Sequence, residues 1–137
     1  MIPLPTVIDD VLGVPFRLGG RDWRDTLDCH GLVIAGAAVW GIAVPDLWGA
    51  VAAEYAATNG VVLPAELPGA ERVASVRDAR RGDVLACQGA SGSVSHVVLV
   101  EGDGWCLSTA RGESSRRIEL RRFAAAVHSV WRFPCSR

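Results

Sequence analysis

The sequence has almost no net charge and no apolar run long enough to span a membrane. Fourteen basic and 15 acidic residues leave a net charge of −1, so the total favours binding neither to nucleic acid nor to an anionic membrane. The longest apolar run, Gly31 to Val44, has 14 residues, which is too short to cross a hydrocarbon core of about 30 Å. We therefore expect no nucleic-acid partner and no membrane insertion.

The sequence also lacks the usual signals for secretion and for metal binding. Its first five residues contain no basic segment followed by an apolar core and a cleavage site, so we expect synthesis in the cytoplasm without a classical secretion signal. Its four cysteines form no C-x-x-C pair and no zinc-ligand spacing, and a reducing compartment keeps thiols free. We expect no metal, no cofactor and free thiols at Cys29, Cys87, Cys106 and Cys135.

Its apolar content is sufficient for one core. A chain of 137 residues that is 50% hydrophobic has the size of one domain, so residues 1–137 are predicted to form a single domain. Its first half has helical patterns. We predict a short amphipathic helix over Thr6 to Leu12, a buried helix from the N-cap Asp28 to about Gly41, and another from Pro45 or Asp46 to about Thr58.

The second half has the pattern of strands. Short segments rich in Val, Leu and Trp alternate with turns of Gly, Ser and Asp, at Asp83 to Gln88, Ser95 to Glu101, Trp105 to Thr109, Arg116 to Leu120 and Val127 to Phe133. One short helix is predicted before them, near Val73 to Ala79. Helices followed by antiparallel strands predict an α+β domain, in which N-terminal helices pack on a five-stranded antiparallel sheet.

Cys29 is the first residue of the predicted buried helix. Backbone N–H groups at a helix N-terminus have no intrahelical partner, and the helix dipole is positive there. Both effects lower the pKa of a thiol from about 8.5, and the same N–H groups can stabilise an oxyanion. We therefore expect Cys29 to be a nucleophile with thiolate character.

His96 is the candidate base for that nucleophile. It opens a run of valine and leucine that has the composition of a central strand, so we expect it at the edge of the core, where it can face a helix N-terminus. A cysteine and a histidine far apart in sequence can meet in space as the working pair of a cysteine peptidase.

The motifs around both residues resemble those of the NlpC-type cysteine peptidase family. Segments 13–20 (GVPFRLGG) and 27–33 (LDCHGLV) look like the family's aromatic-x-x-Gly-Gly turn and its Asp-Cys-x-Gly-Leu-Val signature. Segment 81–85 (RGDVL) resembles the Pro-Gly-Asp strand start, and segment 95–100 (SHVVLV) resembles the His-Val-Gly-Ile-Tyr strand. The matches keep the family's order from Gly13 to Ala110.

This resemblance implies a papain-like fold with the nucleophile Cys29 at a helix N-terminus and His96 as its base. It implies hydrolysis of peptide bonds in bacterial peptidoglycan stem peptides, next to D-glutamate. The ending 130–134 (VWRFP) is similar to that of compact members encoded in phage tail gene clusters. The likeness therefore implies phage tail or tail-tip proteins as partners, and a place on the virion tail that acts at the bacterial cell wall.

The family's third site residue is a polar side chain about 12 positions after the base, which it orients; here that position is Ser108. Hairpin geometry tests this assignment, because residues paired across a turn share a face of the sheet. A three-residue turn over 102–104 pairs Val98 with Ser108 and puts Ser108 on the face of His96. A two-residue type I′ turn instead pairs Val98 with Thr109 and gives that face to Thr109. Ser108 is preferred and Thr109 is the alternative.

Four further residues lie close to the nucleophile in sequence. Phe16 stands where many relatives have a tyrosine whose phenol can help to bind the oxyanion, and phenylalanine has no donor. We expect Asp28 to cap the helix and His30 to face away from the site, behind it or at the surface. Trp23 is a candidate for the wall of a substrate groove. The side chains of His128, Cys87 and Cys106 are expected to be structural.

Two other functions are compatible with the sequence. The phenylalanine at position 16 and the short hydroxyl of Ser108 favour a slow or inactive enzyme that serves as a structural component of a tail tip. The same pair of cysteine and histidine also supports amidase or acyl-transfer chemistry.

Overall fold

The computed structural model describes residues 2–46, 67, 69–89 and 94–135. The chain begins with an extended segment and a 3-10 helix, Ile8–Val11. A two-stranded antiparallel ribbon of β1 (Arg21–Asp22) and β2 (Thr26–Leu27) follows. The helix α1 (Cys29–Val39) begins directly after this ribbon, so the ribbon determines where the helix starts.

The main sheet has six strands in the order β3-β8-β4-β5-β6-β7, all antiparallel to their neighbours. They are β3 (Glu71–Val73), β4 (Val84–Gln88), β5 (Val94–Gly102), β6 (Trp105–Ser108), β7 (Arg116–Glu119) and β8 (Val127–Arg132). Residues of β4 and β5 alternate between two apolar clusters, one on each face of the sheet. One face packs against α1, and the other packs against the 3-10 helices near the end of the chain.

The helix α1 packs tightly on β5 and β6. Gly36 allows this close approach, because a Cβ at that position would lie 2.6 Å from the Leu99 side chain and 3.3 Å from the Leu107 side chain. Leu99 and Leu107 are paired across β5 and β6. The helix that begins at Cys29 therefore lies over the two strands that carry His96 and Ser108.

The N-terminal segment is tied to the loop before β7. Val14 donates its N–H to Ser115 Oγ (3.0 Å), 101 residues further on, and that hydroxyl donates to Val11 O (2.6 Å). Phe16 N donates to Glu113 O (3.1 Å). Segment 13–16 thus lies alongside residues 113–115 and forms a wall next to the start of α1.

At the opposite end of the central strands, a buried carboxylate pairs with a partly exposed guanidinium. Asp83 precedes β4, is 1% exposed, and accepts two hydrogen bonds of 2.9 Å from the Arg132 guanidinium. Arg80 N donates to the same carboxylate (2.8 Å), and Val100 N donates to Asp83 O (2.9 Å). These bonds join β4 to β5 and β8.

The structure confirms the α+β class and corrects the predicted sheet, which has six strands and not five. The sixth strand is β3, an edge strand that pairs only with β8, with Arg72 opposite Trp131. It has three residues, which is too short for an alternating pattern to be recognised. The five predicted strands match β4 to β8 to within one residue at each end.

The predicted helices match the structure less closely than the predicted strands do. The helix predicted over Thr6 to Leu12 is the single 3-10 turn Ile8–Val11, and the one predicted near Val73 to Ala79 reduces to the 3-10 turn Val76–Asp78. Helices this short gain too few hydrogen bonds to repay nucleation. The helix predicted from Pro45 or Asp46 to Thr58 lies almost wholly outside the described residues. Among those that are described, α1 is the one α-helix, where the sequence predicted several.

In the described part of the chain, no helix is both long and apolar enough to cross a membrane. No three His, Cys, Asp or Glu side chains of the described residues are grouped so that they could hold a metal ion. The four cysteines all lie within this part and carry free thiols.

Candidate active site

The start of α1 is held by a network centred on Asp28. Its Oδ1 accepts a hydrogen bond from Gly31 N (2.7 Å) and its Oδ2 accepts one from Gly19 N (2.8 Å). Arg21 also donates to Oδ1 (2.6 Å). Asp28 is therefore the N-cap, as predicted, and both of its oxygens bind the protein rather than a substrate.

Two glycines allow the ribbon to lie on the first turn of α1. A Cβ at Gly31 would overlap the carbonyl oxygen of Gly20, and a Cβ at Gly20 would lie 2.7 Å from Thr26 O. Neither position has room for a side chain. The glycines of the two motifs therefore have a packing role, which is to bring the loop before β1 against the helix that begins at Cys29.

Cys29 is partly exposed at the first position of α1. Burial of its sulfur raises the pKa of the thiol to about 11, although the backbone N–H groups of Val97 and His30 lower it. The charge of Asp28 adds to the rise and that of Arg21 opposes it. The predicted thiolate is therefore wrong for the resting protein, because desolvation outweighs the N–H groups at the helix start.

His96 lies on β5, opposite Cys87 of β4 and next to Val97, whose N–H faces the Cys29 sulfur. Burial lowers the pKa of His96, and the carboxylate of Glu113 partly opposes that shift. The imidazole is therefore neutral at pH 7. Its ring also packs near the ring of Phe123, with the centroids 6.3 Å apart.

Ser108 lies next to the Nε2 nitrogen of this imidazole. His96 Nε2 and Ser108 Oγ are 3.2 Å apart, within hydrogen-bond distance. The register accounts for the contact, because Leu99 pairs with Leu107 and the same register puts Val98 opposite Ser108. The turn itself is the two-residue one, because Gly102 pairs with Trp105 and both Asp103 and Gly104 have positive φ. A register shift between Val100 and Gly102 restores the pairing that was expected for the three-residue turn.

The alternative candidate, Thr109, does not share that position. It follows the end of β6 and is 1% exposed. Its Oγ1 has no hydrogen-bond partner among the residues that the structure describes. Thr109 is therefore a buried hydroxyl on the other side of the strand from Ser108.

Phe16 and Glu113 border the site on the side of the N-terminal segment. Phe16 pairs with Leu27 in an isolated parallel bridge, and its ring has no polar atom. The Glu113 side chain is 42% exposed and pairs with Arg116 (3.2 Å). Nothing in the sequence distinguishes Glu113, because one acidic residue in a turn is common and its effect on His96 depends on the fold.

His30 and Trp23 lie away from the sulfur. His30 is 5% exposed, so the surface position is wrong. Burial and, to a smaller extent, the charge of Arg21 lower the pKa of His30 to about 4, although the charges of Asp46 and Asp28 oppose this shift. Its Nε2 lies 3.8 Å from Asp46 Oδ1. His30 thus packs behind the helix start.

Trp23 holds the N-terminal segment. Its Nε1 donates to Pro3 O (2.7 Å), and it lines a cavity of about 250 Å³ together with Ile34 and Ala38. Ala38 follows Cys29 by nine residues, which is about two and a half turns at 3.6 residues per turn. The two side chains therefore lie on opposite faces of the helix. The position of Trp23 therefore does not support the predicted contact with substrate.

Of the remaining candidates, the two cysteines are packing residues and His128 is exposed on β8. Cys87 and Cys106 are buried in the apolar cluster on the face away from α1, and burial raises the pKa of their thiols to about 11 and about 12. His128 Nδ1 lies 3.0 Å from Ser129 Oγ.

Comparisons with known proteins found one family and several solved structures that are similar to this chain. The model of the NlpC/P60 family matches residues 13–132. The NlpC/p60 domain of the peptidoglycan hydrolase SagA is 24% identical, with 90% of each chain covered and a TM-score of 0.57. NlpC1 from Trichomonas vaginalis is 19% identical with a TM-score of 0.63, and the match covers 90% of this chain but 41% of that one.

The Resuscitation Promoting Factor Interacting protein RipA is also similar. Two of its variants are 25% identical to this chain, with TM-scores of 0.58 and 0.57, and the match covers 92% of this chain and 58% of each of those. No curated protein matches the chain by sequence.

Proposed function

Because the chain belongs to the NlpC/P60 family, we propose that it is a cysteine endopeptidase that cleaves peptidoglycan stem peptides next to D-glutamate. The observation that carries the proposal is the hydrogen-bond contact between His96 Nε2 and Ser108 Oγ. Val97, the residue after His96, has its backbone N–H near the Cys29 sulfur.

The protonation states support a mechanism that starts from a neutral pair. The pKa of Cys29 is raised to about 11 and that of His96 is lowered, so at pH 7 the thiol holds its proton and the imidazole can accept one. When Nε2–H donates to Ser108 Oγ, the lone pair lies on Nδ1, which is then the base. His96 Nδ1 takes the thiol proton as the sulfur attacks the amide carbonyl, and the imidazolium returns it to the leaving amine.

Water then hydrolyses the acyl-enzyme with His96 again as the base. The oxyanion formed in each step needs donors, and Phe16 has none to offer. The backbone N–H groups of Cys29 and His30 are the candidate donors, since those of Gly31 and Leu32 already donate to Asp28.

Two relatives support the roles and the substrate. The RipA variants carry changes at a histidine and at a glutamate twelve residues later, which is the separation of His96 and Ser108. SagA is described as a peptidoglycan hydrolase. A serine at the third position orients an imidazole less firmly than a carboxylate, so we expect slower turnover than in a relative with glutamate there.

Digestion of purified muropeptides tests the proposal. The wild-type chain should release products that are absent with Cys29→Ala, and the masses of these products identify the bond that is cut. Cleavage beside D-glutamate supports the endopeptidase, whereas cleavage of the bond between sugar and peptide indicates an amidase on the same fold. A folded wild-type sample that leaves every muropeptide intact contradicts both.

We also propose that the protein acts on a phage tail or tail-like particle, where it opens the cell wall locally. The support is the likeness of segment 130–134 to the ending of tail-encoded family members. Co-purification with tail proteins from phage particles, or its absence from washed particles, decides this.

A second candidate function is a tail-tip component with little or no turnover. The thiol pKa of about 11, together with Phe16 and the weak orienting group Ser108, favours it. Tail binding without muropeptide cleavage would support this role, and cleavage at a rate typical of peptidases would exclude it.

A further inference from the structure

A cavity of about 430 Å³ lies at the end of the main sheet that is remote from the proposed active site. Its wall includes three arginines, Arg80, Arg81 and Arg132, and we call it the arginine cavity. Its volume falls within the range of about 300–1,000 Å³ that is typical of small-molecule sites. Arg81 Nε donates to Glu101 O, five residues after His96, which at about 3.3 Å per residue is roughly 17 Å along β5. The arginine cavity is therefore a separate site.

The protein holds two of the three guanidinium groups in place. Arg81 donates to Glu101 O (2.8 Å), and its guanidinium carbon lies 5.4 Å from the centre of the Trp40 ring. Arg132 donates through Nε and Nη2 to the Asp83 carboxylate, at 2.9 Å each. Side chains that are fixed in this way lose little conformational entropy when a ligand binds.

The third arginine, Arg80, lies beside the Arg132 guanidinium. The Arg80 backbone N–H and Arg132 Nη2 donate to the same oxygen, Asp83 Oδ2, at 2.8 and 2.9 Å. The two donors are thus within two hydrogen-bond lengths of each other. The Arg80 side chain itself is exposed and binds no other described residue, so its five N–H donors are available to a ligand.

The wall of the arginine cavity has a surplus of positive charge. Its three guanidinium groups are accompanied by two carboxylates, those of Asp83 and Glu71. Asp83 already accepts three hydrogen bonds, two from Arg132 and one from the Arg80 backbone. Glu71 is exposed at the start of β3. An anion that enters the cavity would balance the remaining positive charge and bind the unused N–H groups.

We propose that the arginine cavity binds the phosphate group of a phosphate ester. A phosphate monoester carries a charge of about −1.5 to −2 at pH 7 and has three strong acceptor oxygens, which suits three guanidinium groups. A carboxylate has a single charge and is satisfied by one bidentate arginine, so it would leave donors unused. Ile42, Phe133 and Pro134 form apolar parts of the same wall and can contact the organic part of the ester.

Cys135 can report whether the arginine cavity is occupied, because it lies on the wall and has an exposed free thiol. Its Sγ is 3.4 Å from Trp40 O, the residue on whose ring Arg81 packs. A bound ester should therefore shield Cys135 from N-ethylmaleimide. The probe is glycerol phosphate, in a phosphate-free buffer at constant ionic strength. Peptide-resolved mass spectrometry follows the alkylation of Cys135, and a ³¹P NMR titration gives the Kd.

In the wild-type chain, glycerol phosphate at about ten times its Kd should slow the alkylation of Cys135 roughly tenfold, since only the empty cavity leaves the thiol accessible. Acetate at the same concentration should leave the rate nearly unchanged. Equal protection by acetate, or by sodium chloride at the same ionic strength, overturns the phosphate site. So does an alkylation rate that glycerol phosphate does not change.

Three variants test the assignment of the residues. Arg80→Gln should raise the Kd about fivefold or more, because it removes a charged donor that has no role in the described fold. Glu71→Gln removes the opposing carboxylate and should lower the Kd about twofold. Arg77→Gln is the matched control, because Arg77 is exposed and lies outside the cavity wall, and its Kd should equal that of wild type. An unchanged Kd in Arg80→Gln contradicts the proposal.

A free ester and a phosphate-bearing polymer offer the same chemistry, and a second probe distinguishes them. Poly(glycerol phosphate) is compared with glycerol phosphate at equal phosphate concentration. Stronger protection of Cys135 by the polymer identifies a phosphodiester chain as the source, and equal or weaker protection identifies a free ester. The measurement requires neither Cys29 nor peptidoglycan, so a chain that cleaves no muropeptide can still bind the ester, and the two proposals fail separately.

Discussion

The two ends of the central strands β4 and β5 are built in different ways. At one end, the buried Asp83 carboxylate receives hydrogen bonds from Arg132 and Arg80, and the strands pair without interruption. At the other end, the pairing of β4 shifts near Cys87, β6 separates from β5, and Thr109 Oγ1 is unpaired among the described residues. The first end satisfies the polar groups of its buried carboxylate, whereas the second leaves a buried hydroxyl unpaired beside the strand of the proposed base.

The largest expected effect is on chemistry at the second end. Cys29→Ala should reduce muropeptide hydrolysis by about 10⁴-fold or more, because no other group can form the acyl-enzyme. Its unfolding midpoint should stay close to that of wild type. Hydrolysis that survives in this variant would show that the chemistry lies elsewhere.

The next effect belongs to the first end. Asp83→Asn should lower the free energy of unfolding by about 2 kcal/mol, since the buried carboxylate loses its charge-assisted hydrogen bonds to the partly exposed Arg132. Urea unfolding measures the loss. At low temperature, where the variant is folded, the rate of Cys29 alkylation should match that of wild type. A change in that rate would show that the two ends are coupled.

Acid should destabilise the protein through His30. Its pKa is about 6.5 in the unfolded chain and about 4 when folded. Between these values the unfolded chain binds a proton that the folded chain does not, so stability falls as the pH drops from 6.5 toward 4, by on the order of 3 kcal/mol. Urea unfolding at several pH values measures this slope. His30→Gln should have a flatter slope, and an unchanged one would assign the acid sensitivity to other groups.

A smaller effect is expected at the orienting position. Ser108→Ala should lower kcat by about tenfold with KM little changed, because the imidazole loses the partner of Nε2. Ser108→Glu should restore or exceed the wild-type rate, since a carboxylate stabilises the imidazolium more strongly. If the alanine variant matches wild type, another group orients His96.

The smallest effect is a shift of the pH profile. Glu113 raises the pKa of His96, so Glu113→Gln should lower it, and the acid limb of kcat/KM should move to lower pH. Arg116→Gln is the matched control, because it removes the ion-pair partner of Glu113 and leaves the carboxylate. In this variant the acid limb should move to higher pH or stay where it is. A shift of the glutamine variant at position 113 to higher pH would contradict this role.

At this second end, the sequence predicted the helix and the strand better than it predicted the protonation state of the thiol. The capped helix at Asp28 and the strand of His96 follow from local patterns of turn residues and alternating apolar residues. The hairpin register does not, because the two-residue turn at Asp103 and Gly104 is offset by a register shift between Val100 and Gly102. The state of the Cys29 thiol does not, because it depends on how much water the folded chain excludes from the sulfur. The sequence showed the helix N-terminus, which lowers a thiol pKa, but not the burial that outweighs it.

The same limit explains the other differences. Nothing local distinguishes Thr109 from Ser108, or draws attention to Glu113, until the separation of β5 and β6 and the pairing of residues 113–115 with segment 13–16 are known. The strand β3 was missed because an edge strand of three residues depends on its neighbour β8 rather than on its own pattern. The position of His30 similarly depends on Arg21 and Asp46, which other parts of the chain supply.

The hydrogen bonds between Val14 and Ser115 join residues 101 positions apart. Contacts so distant in sequence form slowly, because a long loop must close before they can be made. During synthesis, Cys29 and its helix leave the ribosome well before His96, Ser108 or the residues that pair with segment 13–16. A nascent chain therefore contains the proposed nucleophile for some time without the rest of the site, and the proposed hydrolysis can begin only after residues 113–115 have emerged and paired with segment 13–16.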